Sequence, residues 1–185
     1  MSTNAWVETL ITSQVDGAAL ANSGSTTSIL PGAAKYTLPS NYFGVIGKAI
    51  RITAFGRVST VTGSAGNLTL AINFGTIASP IAVWSSGTIA MNNSAQTNVS
   101  WLLSLVLTGR AIGTGTIATL IGGGTFETFG VAATAGQNLV PASAPAVGTG
   151  FDSTITNTVD LTALWSFASA SNSILCHEFV FESLN

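Results

Sequence analysis

Between Val58 and Gly109 the chain contains no Asp, Glu, Lys or Arg. Charge is scarce throughout: 6% of the 185 residues carry it, against roughly 25% in an average soluble domain. Five basic residues and a net charge of −2 argue against nucleic acid as a partner. Non-specific nucleic-acid binding needs clustered Lys and Arg that displace counterions, and Lys35, Lys48, Arg51, Arg57 and Arg110 form no cluster in sequence. The lone cysteine, Cys176, excludes an intramolecular disulfide and suits synthesis in a reducing cytoplasm. The lone histidine, His177, excludes a two-histidine metal site within one chain.

Long apolar runs are missing too. Mean hydropathy is +0.52, yet Gly, Ser, Asn or Pro interrupts every few positions, and a spanning helix needs about 20 mostly apolar residues. The opening stretch MSTNAWVETL has no basic segment followed by an apolar one, so no signal peptide is expected. Without export, an outer-membrane barrel is not expected either. No membrane partner is foreseen.

What is present is small and hydroxylated: 20 Gly, 21 Ser and 25 Thr. A chain of 185 residues makes one domain that buries about 70% of its unfolded surface without staples. A surface of Ser, Thr, Ala and Gly loses little side-chain entropy when pressed against another surface. Long Lys and Glu side chains, by contrast, are depleted where proteins meet. The composition therefore points to a structural or adhesive role.

Period-two alternation dominates from about residue 48. Segment 48–62 places Ile50, Ile52 and Ala54 against Arg51 and Thr53, with an interruption near Gly56 that reads as a bulge or bend. Segment 67–74 puts Leu68, Leu70, Ile72 and Phe74 on one face; segment 98–110 repeats this with Val99, Trp101, Leu103, Leu105 and Leu107. Further strands are expected at 80–84, 87–91, 115–121, 125–131, 154–162 and 173–183. Gly63, Gly66, Gly87, Gly109, Gly113 and Gly122–Gly124 are read as turns between them. The expected fold is all-β, a jelly-roll-like β-sandwich of about eight antiparallel strands over 35–185. Residues 1–34 carry few periodic apolar positions and read as an extended N-terminal arm held by a neighbouring molecule. Residues 132–152 read as an exposed contact loop.

The search for chemistry nominates no catalytic, cofactor-binding or metal-binding residue. Cys176 and His177 are adjacent in an expected strand, so they point to opposite faces and cannot pair. The runs 113–118, 122–126 and 148–152 match no phosphate-binding loop, and no nucleophile elbow occurs. Glu178 and Glu182 share one strand face about 13 Å apart, wider than the roughly 5–9.5 Å of glycosidase carboxylate pairs. Asp152 or Asp160 with loop carbonyls is a minor candidate for calcium. Trp84, Trp101 and Trp165 read as core anchors rather than a sugar-binding shelf, whereas Trp6 precedes the domain and would need a neighbour to be buried.

The order of strand-edge residues resembles small single jelly-roll virion proteins of tailed bacteriophages. The matching parts are Asp16-Gly17, Leu30-Pro31, Tyr42-Phe43, Gly47-Lys48-x-Ile50-Arg51-Ile52 and Gly56-Arg57-Val58-Ser59, followed by Ser100-Trp101 and Thr108-Gly109-Arg110. The resemblance covers roughly residues 16–131 and weakens beyond. The resemblance implies a non-enzymatic virion protein: head decoration (cement), minor capsid or tail-associated structure, without active-site residues or cofactors. Its implied partners are the major capsid protein or other virion proteins, on the outer head surface. The arm's need for outside contacts separately leads to an expected homo-oligomer, taken as a trimer. The alternative is a receptor- or glycan-binding head of a tail fibre or baseplate. An exposed aromatic shelf would favour that alternative, and an arm lying on another protein would favour cement.

Overall fold

The computed structural model describes residues 6–63, 65–132 and 136–184. Residues 1–5 of the expected arm, 133–135 of the expected contact loop and Asn185 lie outside the described residues. Among those described there are fourteen strands, one 3-10 turn at Gly32–Ala34 and no α-helix. The larger sheet is antiparallel and contains β1 (Glu8–Thr12), β14 (Ser173–Ser183), β5 (Ala49–Thr60), β9 (Gln96–Ala111), β10 (Thr119–Thr128) and β11 (Gln137–Val140), in that order, with β2 (Leu20–Ala21) also on β14. The smaller sheet runs β3 (Thr27–Ser28), β13 (Asp160–Trp165), β6 (Asn67–Thr76) and β7 (Ser79–Ser85), with β8 (Ile89–Ala90) also on β6. A short pair joins β4 (Thr37–Leu38) to β12 (Asn157–Thr158). Seven strands have six or more residues, and the whole is a jelly-roll-like β-sandwich.

Alternation explains the core directly. Ile50, Ile52 and Ala54 of β5 and Trp101, Leu103, Leu105 and Leu107 of β9 are buried in one cluster with Leu68, Leu70, Ile72 and Phe74 of β6. Trp101 lies against Phe126 of β10, ring centroids 6.0 Å apart, and its indole N–H donates to the Leu175 carbonyl at 3.1 Å. Phe43, Phe74 and Phe151 form a second aromatic knot with centroids 5.1–5.8 Å apart. Trp84 and Trp165 are buried as expected.

The phase break expected at Gly56 lies on the partner strand instead. β5 keeps its alternation through Phe55, Gly56 and Arg57. In β14, Cys176 pairs with Gly56 and Glu178 pairs with Phe55, so His177 is the extra residue of a β-bulge. The bulge resets parity: Ile174 and Cys176 point inward before it, Phe179 and Phe181 after it.

The glycines 122–124 do not separate two strands; they lie inside β10. A Cβ at Gly124 would sit 1.8 Å from the Ser104 carbonyl oxygen, and one at Gly122 would sit 2.1 Å from that of Val106. Only glycine tolerates so close an approach of β9. The bared strand also receives Trp84 from the other sheet, whose indole N–H donates to the Gly122 carbonyl at 3.2 Å. Gly109 is likewise in a strand, whereas Gly63, Gly66, Gly87 and Gly113 have φ between 66° and 153°, as turns require.

The described part of the arm is paired into its own domain. β1 and β2 pair with β14, and β3 pairs with β13 of the opposite sheet. The segment thus crosses from one sheet's edge to the other's and closes that side of the sandwich. Leu20, Ile29 and Leu30 enter the core, and Ala34 is buried. Few apolar residues suffice because the two sheet edges take up the arm's backbone hydrogen bonds. Trp6, just ahead of β1, stays 67% exposed.

Candidate functional site

The outward positions of the larger sheet form rows across the strands. In one row Glu178 pairs with Phe55, Phe55 with Leu102, Leu102 with Glu127, and Glu127 with Gln137. In the adjoining row Arg57 pairs with Ser100. Phe129 follows β10 in the connection to β11 and is 81% exposed. All of these side chains except Glu178, together with His177 from β14, line a groove of about 610 Å³.

The groove combines apolar and polar walls. Phe55, Leu102 and Phe129 provide apolar surface. Two strand spacings and a two-residue offset along the strands, together roughly 12 Å, separate the Arg57 backbone on β5 from the Glu127 backbone on β10. Glu127 accepts from Gln137 Nε2 at 2.9 Å and from the Thr125 hydroxyl at 3.3 Å. Arg57 Nε donates to His177 Nε2 at 2.7 Å, and His177 Nδ1 lies 2.8 Å from Asp16 Oδ1. The arm delivers Asp16: Ser13 N–H donates to the Phe179 carbonyl and Gly17 N–H to that of Cys176. Glycine is required at 17, where a Cβ would be 1.8 Å from the Ile29 carbonyl oxygen.

This arrangement presents donors, acceptors and aromatic surface, but no activated nucleophile. Both imidazole nitrogens of His177 are engaged, so neither is open to take a proton from a water or a hydroxyl. Cys176 is buried on the inner face, away from His177, as their adjacency in a strand requires. Burial pushes its thiol up to about 12, helped by the Glu178 charge, and such a thiol is not a thiolate at neutral pH.

The carboxylates weighed for calcium are engaged within the fold. Asp160 accepts from Lys35 at 2.9 Å and from the Ser28 hydroxyl at 2.7 Å. Asp152 accepts from the Gly115 amide and from both the amide and hydroxyl of Thr154. No group of three or more His, Cys, Asp or Glu able to hold a metal is found among the described residues. Glu178 and Glu182 both stand on the outer face of β14, and Glu182 pairs with Arg51 at 3.6 Å.

The sequence sought an aromatic shelf among the tryptophans and overlooked the phenylalanines. Phe55 carried a signal, because it falls on the polar side of β5 beside Arg51, Thr53 and Arg57. Phe129 is two residues beyond Glu127, just past the end of β10. Arg57, Glu127 and Gln137 carried none, since only the strand order places them together.

No protein-family model matches the chain, and no curated protein sequence matches it. Among solved structures the chain is similar to the CBM2 module of the evolved Dit of Lactobacillus casei BL23 phage J-1. The two are 12% identical, the match covers 82% of this chain and 69% of that one, and the TM-score is 0.32. No helix among the described residues is long and apolar enough to cross a membrane.

Proposed function

We propose that this chain is a non-catalytic glycan-binding module of a bacteriophage virion, with its saccharide held in the groove on the outer face of the larger sheet. The observation that carries the reading is the groove itself: Phe55 and Phe129 beside Arg57, Glu127 and Gln137. The C–H groups on one face of a sugar ring are weakly positive and suit the negative face of an aromatic ring. Hydroxyls donate and accept, and the groove offers Arg57 as donor, Glu127 as acceptor and Gln137 as both. Arg57 and Glu127 carry opposite charges, which matches a neutral saccharide better than an acidic one. The phage setting rests on the strand-edge resemblance from Asp16 to Val131.

The groove favours glycan binding over head decoration, and the arm's pairing with its own sheets supplies the order that a neighbour was expected to provide. In the glycan-binding reading the rest of the hydroxyl-rich surface meets other virion proteins. The test is an array of neutral and acidic oligosaccharides probed with the intact chain and with Phe129→Ala. Retention on neutral saccharides, lost in the variant, is the expected result. Silence across the array, or binding that Phe129→Ala leaves intact, refutes the reading.

A further inference from the structure

The Arg57–His177–Asp16 chain constrains where protons sit. A guanidinium has donors and no acceptor. Because Arg57 Nε donates to His177 Nε2 at 2.7 Å, that nitrogen must present its lone pair. The ring proton therefore resides on Nδ1 and is donated to Asp16 Oδ1 at 2.8 Å. One neutral tautomer satisfies the whole chain. A second proton on the imidazole would set Nε2–H against Arg57 Nε–H, two donors and two positive charges in contact.

We propose that Asp16 and His177 are positioning residues that fix Arg57 at the groove only while the imidazole is neutral, so that saccharide binding weakens on acidification. The inference rests on the glycan reading of the groove. Three features of the fold make the relay specific. His177 is the bulged residue of β14, free of strand pairing, which aims its ring out of the sheet. Asp16 is held between two backbone bonds to β14, from Ser13 and from Gly17. Arg57 uses Nε for the imidazole, which leaves its terminal nitrogens for a ligand. The charged groups around the ring are Asp16 from the arm, Arg57 from β5, Glu178 on its own strand and Glu127 on the far side of the groove. From β9 the groove receives Ser100, Trp101 and Leu102, which do not titrate. Asp16 offsets the charge of a protonated ring but leaves the clash of donors in place, and Arg57, exposed to solvent, is the group released.

The chain has one histidine, so every imidazole signal belongs to His177. Nitrogen-15 NMR of the intact chain at pH about 8 and about 5, the range over which imidazoles charge, reads the relay directly. At the higher pH the expected result is the Nδ1–H tautomer, with an Arg57 Nε–H that exchanges at least tenfold more slowly than those of Arg51 and Arg110. Wherever both ring nitrogens are seen to carry protons, the Arg57 protection is gone. His177→Gln supplies an acceptor that does not titrate, so its Arg57 protection persists at both pH values. A neutral oligosaccharide taken from the array should bind about tenfold more weakly at the lower pH, and equally at both in His177→Gln. An Nε2–H tautomer at the higher pH, or protection of Arg57 that ignores pH in the wild type, overturns the relay. Saccharide binding that is flat with pH while the nitrogen signals change overturns its link to the groove. A failure of every saccharide to bind refutes the glycan reading, and the nitrogen signals still decide the relay.

Discussion

Trp101→Ala perturbs the point where fold and groove meet. The strand that carries Ser100 and Leu102 to the groove has Trp101 between them, pointing inward, 1% exposed. Its loss removes the stacking on Phe126 and leaves the Leu175 carbonyl without its indole donor. Truncating a buried Trp costs about 3–5 kcal/mol, mostly through the cavity. The lost hydrogen bond contributes about 1 kcal/mol of that. With a urea dependence of about 2 kcal/mol/M, the unfolding midpoint should fall by roughly 1.5–2.5 M. Trp101→Phe keeps most of the volume and loses the donor, so it should fall by less than half as much. Urea titration followed by far-ultraviolet circular dichroism measures both variants. A Trp101→Ala midpoint within about 0.5 M of the wild type would refute the account of the core.

Cys176 should resist a thiol reagent such as DTNB in the native chain at pH 8 and react once urea unfolds it. With the native thiol pushed up to about 12 against an ordinary value near 8.5, native labelling should be at least about a thousandfold slower. Labelling at equal rates would contradict its burial. Asp152 is held below its ordinary value by the Thr154 hydroxyl, then by the Gly115 and Thr154 amides. Its folded value lies under its unfolded one, so its stabilisation is present above the unfolded value and disappears as pH falls through the folded one. Thermal melts from pH about 5 to about 2 should therefore drop less steeply for Asp152→Asn than for the wild type, and parallel curves would refute the assignment.

Strands whose two faces differ were legible in the sequence. Leu68 to Phe74 and Trp101 to Leu107 alternate against polar residues, and β14 occupies 173–183 as the pattern predicts. The bulge had a visible mark, because apolar positions change parity between Cys176 and Phe179. The reading placed the slip at Gly56 because glycine is the usual sign of one. Gly122–Gly124 misled for the opposite reason: a glycine needed for close strand approach looks the same in sequence as one needed for a turn. The arm's docking was hidden because edge pairing uses backbone groups, which every residue type supplies.

The groove was the least legible part. Its members come from β5, β9, β10, β11 and β14, and their adjacency follows from strand order rather than from spacing along the chain. Phe55 on a polar strand face was the one local clue. His177 illustrates the limit: its solitude excluded much chemistry, yet its partners Arg57 and Asp16 are 120 and 161 residues away in sequence.

The most direct measurement of the glycan-binding claim is amide chemical-shift mapping of the intact chain titrated with a neutral oligosaccharide selected on the array. The account predicts saturable shifts confined to Phe55, Arg57, Leu102, Glu127, Phe129, Gln137 and their neighbours. Shifts centred on the Lys35–Asp160 cavity of the smaller sheet, or none at saturating saccharide, would contradict it.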